Sequence, residues 1–185
     1  MNYLITGLGN MGADYEGTRH NIGFDLVDYI AEQQNATFKD GQLGFMAEFK
    51  YKGRTIYLLK PTTYMNLSGK AIRYWLTKLK IPVERSLVIL DDINLDLGVI
   101  KMKPKGSDGG HNGLRSIQQL LGTSQYPRLR IGIGRNYHPG QQVNYVLGRW
   151  EIEEKKQIQT AIDHSASAVL DFCTIGLQRA MTKVN

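Results

Sequence analysis

The segment SLVILDD, residues 86–92, restricts most strongly how this chain can fold. Its four consecutive apolar residues show no polar alternation, and two aspartates follow them directly. This pattern is typical of a strand that is buried on both faces, because helices then cover both sides of the sheet. A chain of 185 residues is long enough to bury such a sheet in one domain.

Strand-like and helix-like segments alternate along the rest of the chain. Apolar residues recur at helical spacing from Ile22, around Trp75, from Leu114, and from Ile158 into a long C-terminal helix. Strand patterns occupy residues 3–6, the hairpin FMAEFKYKGRTIYLLKP, and the runs VIKMKP and RLRIGIG. We therefore predict an α/β fold: a single three-layer α/β/α domain, residues 1–185, with a twisted mixed β-sheet.

Composition narrows the function classes. No apolar run approaches the roughly 20 residues that span a bilayer, and strand-like residues begin almost at once, so we expect no membrane span, signal peptide or transit peptide. Cys173 is the only cysteine, which excludes an internal disulfide and fits a reducing cytoplasm. It lies on the apolar face of the last predicted helix, which indicates a core position. The net charge of +6 favours an anionic partner such as nucleic acid only where the positive residues cluster.

The glycines Gly7, Gly9 and Gly12 spell G-x-G-x-x-G directly after the first predicted strand. A dinucleotide-binding loop also needs a helix that opens within the motif and an acid about 20 residues later, at the end of a second strand. Here a loop follows Gly12, and the acids at that distance fall within the first predicted helix. The motif therefore favours a tight turn at the ligand-binding edge of the sheet. A nicotinamide-dependent oxidoreductase stays an alternative that only cofactor binding would revive.

Candidate chemical groups gather at predicted strand ends and helix starts. His20 follows the glycine loop, and Asp91 ends the buried strand, where an aspartate can orient a histidine and stabilise its imidazolium. Structural roles are the alternative for both residues. Asn112 and Asn66 precede helical patterns, and N-capping explains them best from the residues alone. There is no G-x-S-x-G elbow and no zinc-ligand spacing, so histidine, aspartate and amides suggest a general base that activates water.

Basic residues alternate along two predicted strands. The residues concerned are Lys101, Lys103 and Lys105 on one strand and Arg128 and Arg130 on the other. Residues two apart on a strand share a face, so each set forms a positive stripe. A solvated strand face and a phosphate-contacting patch are both consistent with this pattern.

Longer blocks carry a family resemblance. They are GLGNMGADYEGTRHNIGF, KPTTYMNLSGKA, LDDINLDLG and KGSDGGHNGLRSI, followed by RLRIGIGR. In this order they resemble the bacterial peptidyl-tRNA hydrolases. The resemblance implies a monomeric, cytoplasmic α/β enzyme without metal or cofactor that cleaves the ester between a peptide and the tRNA 3′ ribose and so recycles tRNA. A plant-organelle relative acts in RNA splicing, so a binding module without turnover stays an alternative.

The resemblance also implies a role for individual residues. His20 corresponds to the family's base, Asp91 to its partner, and Asn10 to the residue that favours N-blocked substrates, although Asn10 also suits a turn at positive φ. Contacts to the peptidyl-adenosine end are implied for Tyr15, Tyr64, Asn66 and Asn112, flanking positions for Met65 and His111, and a clamp on the tRNA 5′ phosphate for Lys103 and Arg130. Met11 departs from the family pattern, which usually has proline there.

Overall fold

Seven strands and six α-helices make up the computed structural model, which describes residues 1–185. The strands are β1 (Asn2–Gly7), β2 (Lys39–Gly41), β3 (Gly44–Tyr51), β4 (Arg54–Pro61), β5 (Ser86–Asp92), β6 (Ile100–Lys103) and β7 (Arg128–Gly132). The helices are α1 (Ile22–Gln33), α2 (Ser68–Leu79), α3 (Asn112–Leu121), α4 (Gln142–Val146), α5 (Ile152–Ile175) and α6 (Leu177–Val184). Every strand and helix predicted from the sequence is present, and β2, α4 and α6 are additional.

The seven strands form one mixed sheet in the order β2-β3-β4-β1-β5-β7-β6. The four central strands β4, β1, β5 and β7 are parallel. The outer strands β2, β3 and β6 pair antiparallel to their neighbours. The carboxyl ends of the four parallel strands therefore meet at one edge of the sheet, where α/β proteins place their sites.

Two apolar cores, one on each face of the sheet, create the three layers that the sequence predicts. Strand β5 shows the arrangement, because Leu87 and Ile89 face the core under α1, α5 and α6, whereas Val88 and Leu90 face the core under α2 and α3. All four side chains are buried. The unbroken apolar run SLVIL thus reflects burial on both faces.

The C-terminal region differs from the prediction of one final helix. Gly176, at φ 89°, separates α5 from the short helix α6. The side-chain amide of Asn185 then pairs with the edge strand β6, accepting from the Met102 N–H and donating to the Met102 carbonyl. Cys173 is in the core as predicted, and burial raises the pKa of its thiol to about 12. No helix is both long enough and apolar enough to cross a membrane.

Candidate active site

The loop after β1 delivers His20 to the carboxyl edge of the sheet. The Leu8 N–H donates to the Ile89 carbonyl at 3.0 Å, which continues the β1–β5 pairing past Gly7. A Cβ on Gly7 would collide with the carbonyl of Gly23, so the end of β1 and the start of α1 are in backbone contact. A single 3-10 turn, Arg19–Asn21, then holds His20 directly before α1. The glycines serve close packing, and the helix begins well after Gly12, unlike in a dinucleotide-binding loop.

Asp91 lies at the end of β5 and is bonded to His20. The distance between His20 Nδ1 and Asp91 Oδ2 is 2.8 Å, and the carboxylate is almost fully buried. Burial by itself lowers the pKa of His20, but the negative charge and hydrogen bond of Asp91 outweigh it, and the net shift is upward. Burial raises the pKa of Asp91, but the two neighbouring histidines hold it well below its usual range, so this carboxyl is ionised.

His111 is the second partner of Asp91, a contact that the sequence analysis did not predict. Its Nε2 lies 2.8 Å from Asp91 Oδ1. Its Nδ1 accepts from the N–H of Gly113 at 3.0 Å and more weakly from that of Leu114. His111, and not Asn112 as predicted, is therefore the N-cap of α3, and Asn112 is the first helical residue.

The hydrogen bonds around the two histidines fix their tautomers. Because Nδ1 of His111 accepts from N–H groups, its proton is on Nε2 and is donated to Asp91. The ionised Asp91 can only accept, so His20 donates its Nδ1 proton to the other carboxylate oxygen. The Nε2 of His20 then carries a lone pair and has no partner within the chain, as a general base requires.

Asn10 is held by hydrogen bonds that leave one donor free. Its backbone N–H and carbonyl pair with the side-chain amide of Asn21, each at 2.9 Å. Its Oδ1 accepts from the N–H of Met65 at 2.6 Å, so its Nδ2 is the group left without a partner in the chain. The alternative of a turn at positive φ is wrong, because Asn10 is not among the residues with positive φ. The sequence does not indicate this role of Asn21, apart from its position next to His20.

The other implied substrate contacts lie on three segments: the loop after β1, the loop after β4 and the start of α3. Tyr15 and Tyr64 approach edge to face, with ring centroids 6.3 Å apart. Met65 is buried and lies close to Gly113 at the start of α3. Asn66 and Asn112 are exposed, make no side-chain hydrogen bond, and do not cap α2 or α3. Their amides are thus available to a ligand.

The positive stripes separate into structural and accessible residues. Arg128 is only 2% exposed and donates to the carbonyls of Gly106, Ser124 and Tyr126, so it is a structural residue and not part of an open phosphate patch. Arg130 donates through Nε to Asp92, which leaves its terminal nitrogens free. In the register of β6 and β7, Lys101 opposes Arg130.

One cleft of about 480 Å³ joins the two parts of the site. Its walls include His20, Asp91, His111 and Asn112 together with Lys103 and Arg130. Helix α4 contributes Gln142, Val143 and Val146 to a further wall. Of the eleven residues implied by the resemblance, the cleft brings these six together, while Asn10, Tyr15, Tyr64, Met65 and Asn66 lie on the adjoining loops.

The cluster of His20, Asp91 and His111 has the donor types of a metal site. One ligand atom from each residue lies within 4.8 Å of the others. Both carboxylate oxygens, however, are already engaged by a ring nitrogen at 2.8 Å. A cation bound between the two facing ring nitrogens and the carboxylate would have to displace these hydrogen bonds.

Comparisons with known proteins agree with this geometry. The family model described as peptidyl-tRNA hydrolase matches residues 4–185. The peptidyl-tRNA hydrolase of Cytophaga hutchinsonii is 50% identical over 185 residues, 100% of this chain and 98% of the relative. That of Caldanaerobacter subterraneus is 45% identical over 188 residues, covering 99% of each. The crystal structure of peptidyl-tRNA hydrolase from Acinetobacter baumannii superposes with a TM-score of 0.93 at 36% identity, covering 99% of this chain and 94% of that one. The chain therefore belongs to the peptidyl-tRNA hydrolase family.

Proposed function

We propose that this protein hydrolyses the ester bond between peptide and tRNA in peptidyl-tRNA, with His20 as the general base. The observation that carries the proposal is the Asp91 carboxylate, which bridges two histidines and leaves Nε2 of His20 as the open base. Membership of the family supports the substrate class, and this geometry supports the mechanism.

The reaction begins with proton transfer from water to Nε2 of His20. The resulting hydroxide attacks the ester carbonyl, and the negative charge of Asp91 stabilises the imidazolium that forms. When the tetrahedral intermediate collapses, the C–O bond to the ribose breaks. The His20 proton passes to the departing 3′ oxygen, so the products are the free peptide carboxyl and tRNA with an intact 3′ hydroxyl.

The amides of Asn66 and Asn112 supply hydrogen bonds to the reacting carbonyl and its neighbour. Both are exposed at the first turns that follow the 61–64 and 104–111 loops, and neither is used within the chain. An amide donor placed where negative charge develops stabilises the transition state more than the ground state. We assign the oxyanion contact to these two residues.

Asn10 separates peptidyl-tRNA from aminoacyl-tRNA. Because the Met65 N–H already donates to its oxygen, the group of Asn10 that has no partner in the chain is its Nδ2 donor. An N-blocked substrate presents an acyl carbonyl that accepts from this donor, whereas a free α-ammonium group has only donors. The wrong substrate thus places donor against donor and leaves the Asn10 amide unpaired.

Lys103 and Arg130, which line the same cleft, hold the tRNA 5′ phosphate. Asp92 orients the Arg130 guanidinium through Nε and leaves a fork of terminal nitrogens, which is the geometry that binds phosphate. We further propose that residues 1–185 act as one domain, as a monomer, in the cytoplasm where peptidyl-tRNA is produced. Light scattering of the free protein and of its tRNA complex tests the oligomeric state.

Turnover of two substrates tests the function. N-acetyl-aminoacyl-tRNA should be hydrolysed at catalytic rates, and the same tRNA with an unblocked amino acid should be hydrolysed far more slowly. Tight tRNA binding without turnover of the blocked ester would favour the RNA-binding alternative. Unchanged turnover after treatment with a chelator is expected, since no step uses a metal.

A further inference from the structure

Charge is divided between the two helical layers. Helices α2 and α3 contain four basic residues and no acid: Lys70, Arg73, Lys78 and Arg115. Helices α1, α5 and α6 on the opposite face carry seven acids against four basic residues, a balance of −3 against +4: Asp25, Asp28, Glu32, Glu153, Glu154, Asp163 and Asp171, with Lys155, Lys156, Arg179 and Lys183. The modest overall charge of +6 hides this separation.

The basic side chains of α2 and α3 are free for a partner. Lys70, Arg73 and Arg115 are exposed, and we call these three residues the α2–α3 basic surface. None of them belongs to any of the ion pairs of the protein. Like charges without counterions repel one another, and this cost is relieved when an anion binds.

Close helix packing places these residues together. The Gly69 N–H donates to Ser116 Oγ at 2.9 Å, and a Cβ on Gly69 would collide with the Ser116 carbonyl. Lys70 and Arg115 are the sequence neighbours of this contact pair, so their backbones meet at the same crossing. Arg73 follows Lys70 by three residues on α2 and therefore shares its face.

The surface adjoins the active site through both amide residues. Arg115 lies three residues after Asn112 on α3, and Lys70 lies four residues after Asn66. A substrate held by Asn66 and Asn112 is thus about one helical turn from the nearest cations. The α2–α3 basic surface therefore lies next to the assigned substrate contacts.

We propose that the α2–α3 basic surface binds backbone phosphates of the tRNA acceptor arm, in addition to the 5′ phosphate clamp of Lys103 and Arg130. The inference rests on the proposed function, because it takes tRNA as the substrate. The peptide half of the substrate has no uniform charge, whereas every nucleotide carries a phosphate, so a set of cations without acids is complementary to the RNA half.

The test compares two double variants that remove the same charge. Lys70→Ala/Arg115→Ala alters the basic surface, and Lys155→Ala/Lys156→Ala removes two exposed lysines from the acidic layer. For full-length deacylated tRNA, we expect the first variant to weaken binding about 10- to 50-fold at 0.1 M salt and to lower the slope of log K against log salt by about 1.5 to 2. The control should change neither quantity, and thermal melting of both variants verifies folding.

A minimal substrate distinguishes an effect on the α2–α3 basic surface from an effect on the active site. With N-acetyl-aminoacyl-adenosine, kcat/KM of the first variant should match that of the wild type, because this substrate lacks the acceptor-arm phosphates. Unchanged tRNA binding, an equal loss in the control, or an equal loss with the adenosine ester would each overturn the inference. If the wild type bound tRNA but hydrolysed neither ester, the proposed function would fail while the binding comparison would still decide the surface.

Discussion

Replacing Asp91 with asparagine should switch the tautomer of His20. The carboxylate accepts from both histidines, but an amide has one acceptor and one donor side. If the amide oxygen faces His111, its NH2 group faces Nδ1 of His20 and forces the His20 proton onto Nε2. The base then has no lone pair towards the cleft.

The opposite orientation of the amide is disfavoured by the N-cap of α3. An NH2 group facing Nε2 of His111 would require a proton on Nδ1, which accepts from Gly113 and Leu114. Losing that cap and opposing two donors costs about 1–3 kcal/mol, a preference of about 5- to 150-fold for the inactive arrangement. Because only the disfavoured arrangement keeps a lone pair on Nε2 of His20, this preference alone should lower kcat by about 5- to 150-fold, or about 1–3 kcal/mol, and loss of the Asp91 charge that stabilises the imidazolium lowers kcat further.

A second substitution provides the decisive comparison. His111→Asn retains a capping oxygen for α3 but removes the Nε2 proton that needs an acceptor at residue 91. The amide oxygen of the Asp91→Asn variant can then turn to His20. By itself His111→Asn should reduce the rate of ester hydrolysis. In the Asp91→Asn background the same substitution should increase that rate.

Single-turnover hydrolysis of N-acetyl-aminoacyl-tRNA measures these effects, and circular dichroism controls for folding. The acid limb of the pH–rate profile should also move to lower pH in Asp91→Asn, because the charge that raises the pKa of His20 is gone. The tautomer argument would be refuted if the rate losses of the two single variants multiplied in the double variant. It would also be refuted if the acid limb of the pH–rate profile did not move in Asp91→Asn.

Three further perturbations follow from the structure. Lys103→Ala and Arg130→Ala should each lower the salt slope of tRNA binding by about one unit or less and matter much less for an adenosine ester; equal losses on both substrates would argue against a remote clamp. Asn10→Asp keeps the oxygen that accepts from Met65 but removes the Nδ2 donor, so the ratio of blocked to unblocked hydrolysis should fall while the melting temperature holds; a preserved ratio would exclude Asn10 as the discriminating residue. Gly7→Ala should destabilise the fold by about 1–3 kcal/mol in urea unfolding, because its methyl group meets the Gly23 carbonyl, and wild-type stability would contradict that contact.

The sequence predicted the part of the site that depends on strand ends. His20 after β1 and Asp91 at the end of β5 follow from parallel strands that share one carboxyl edge, and their bond confirms this placement. Asp92, the second of the two aspartates that follow the apolar run, accepts from the N–H of Asn94. These positions are local consequences of a pattern that can be read from the chain.

The direction and partners of individual side chains could not be predicted from these sequence patterns. The run Arg128, Leu129, Arg130 places two arginines on one face, yet the first is buried and bonded to loop carbonyls, and Asp92 holds the second. His111 was missed as a partner of Asp91 because the nineteen residues between them form an edge strand and its flanking loops before the chain returns to the site. Asparagine is a common N-cap residue and histidine is not, so the sequence predicts Asn112 as the N-cap although His111 caps α3.

The most direct test of the central claim is the single-turnover rate of ester hydrolysis by His20→Ala with saturating N-acetyl-aminoacyl-tRNA. We expect the rate to fall by about 10²–10⁴-fold relative to the wild type, while tRNA affinity and the melting temperature stay unchanged. A folded His20→Ala protein that hydrolyses the ester within a few-fold of the wild-type rate would contradict the assignment of His20 as the base.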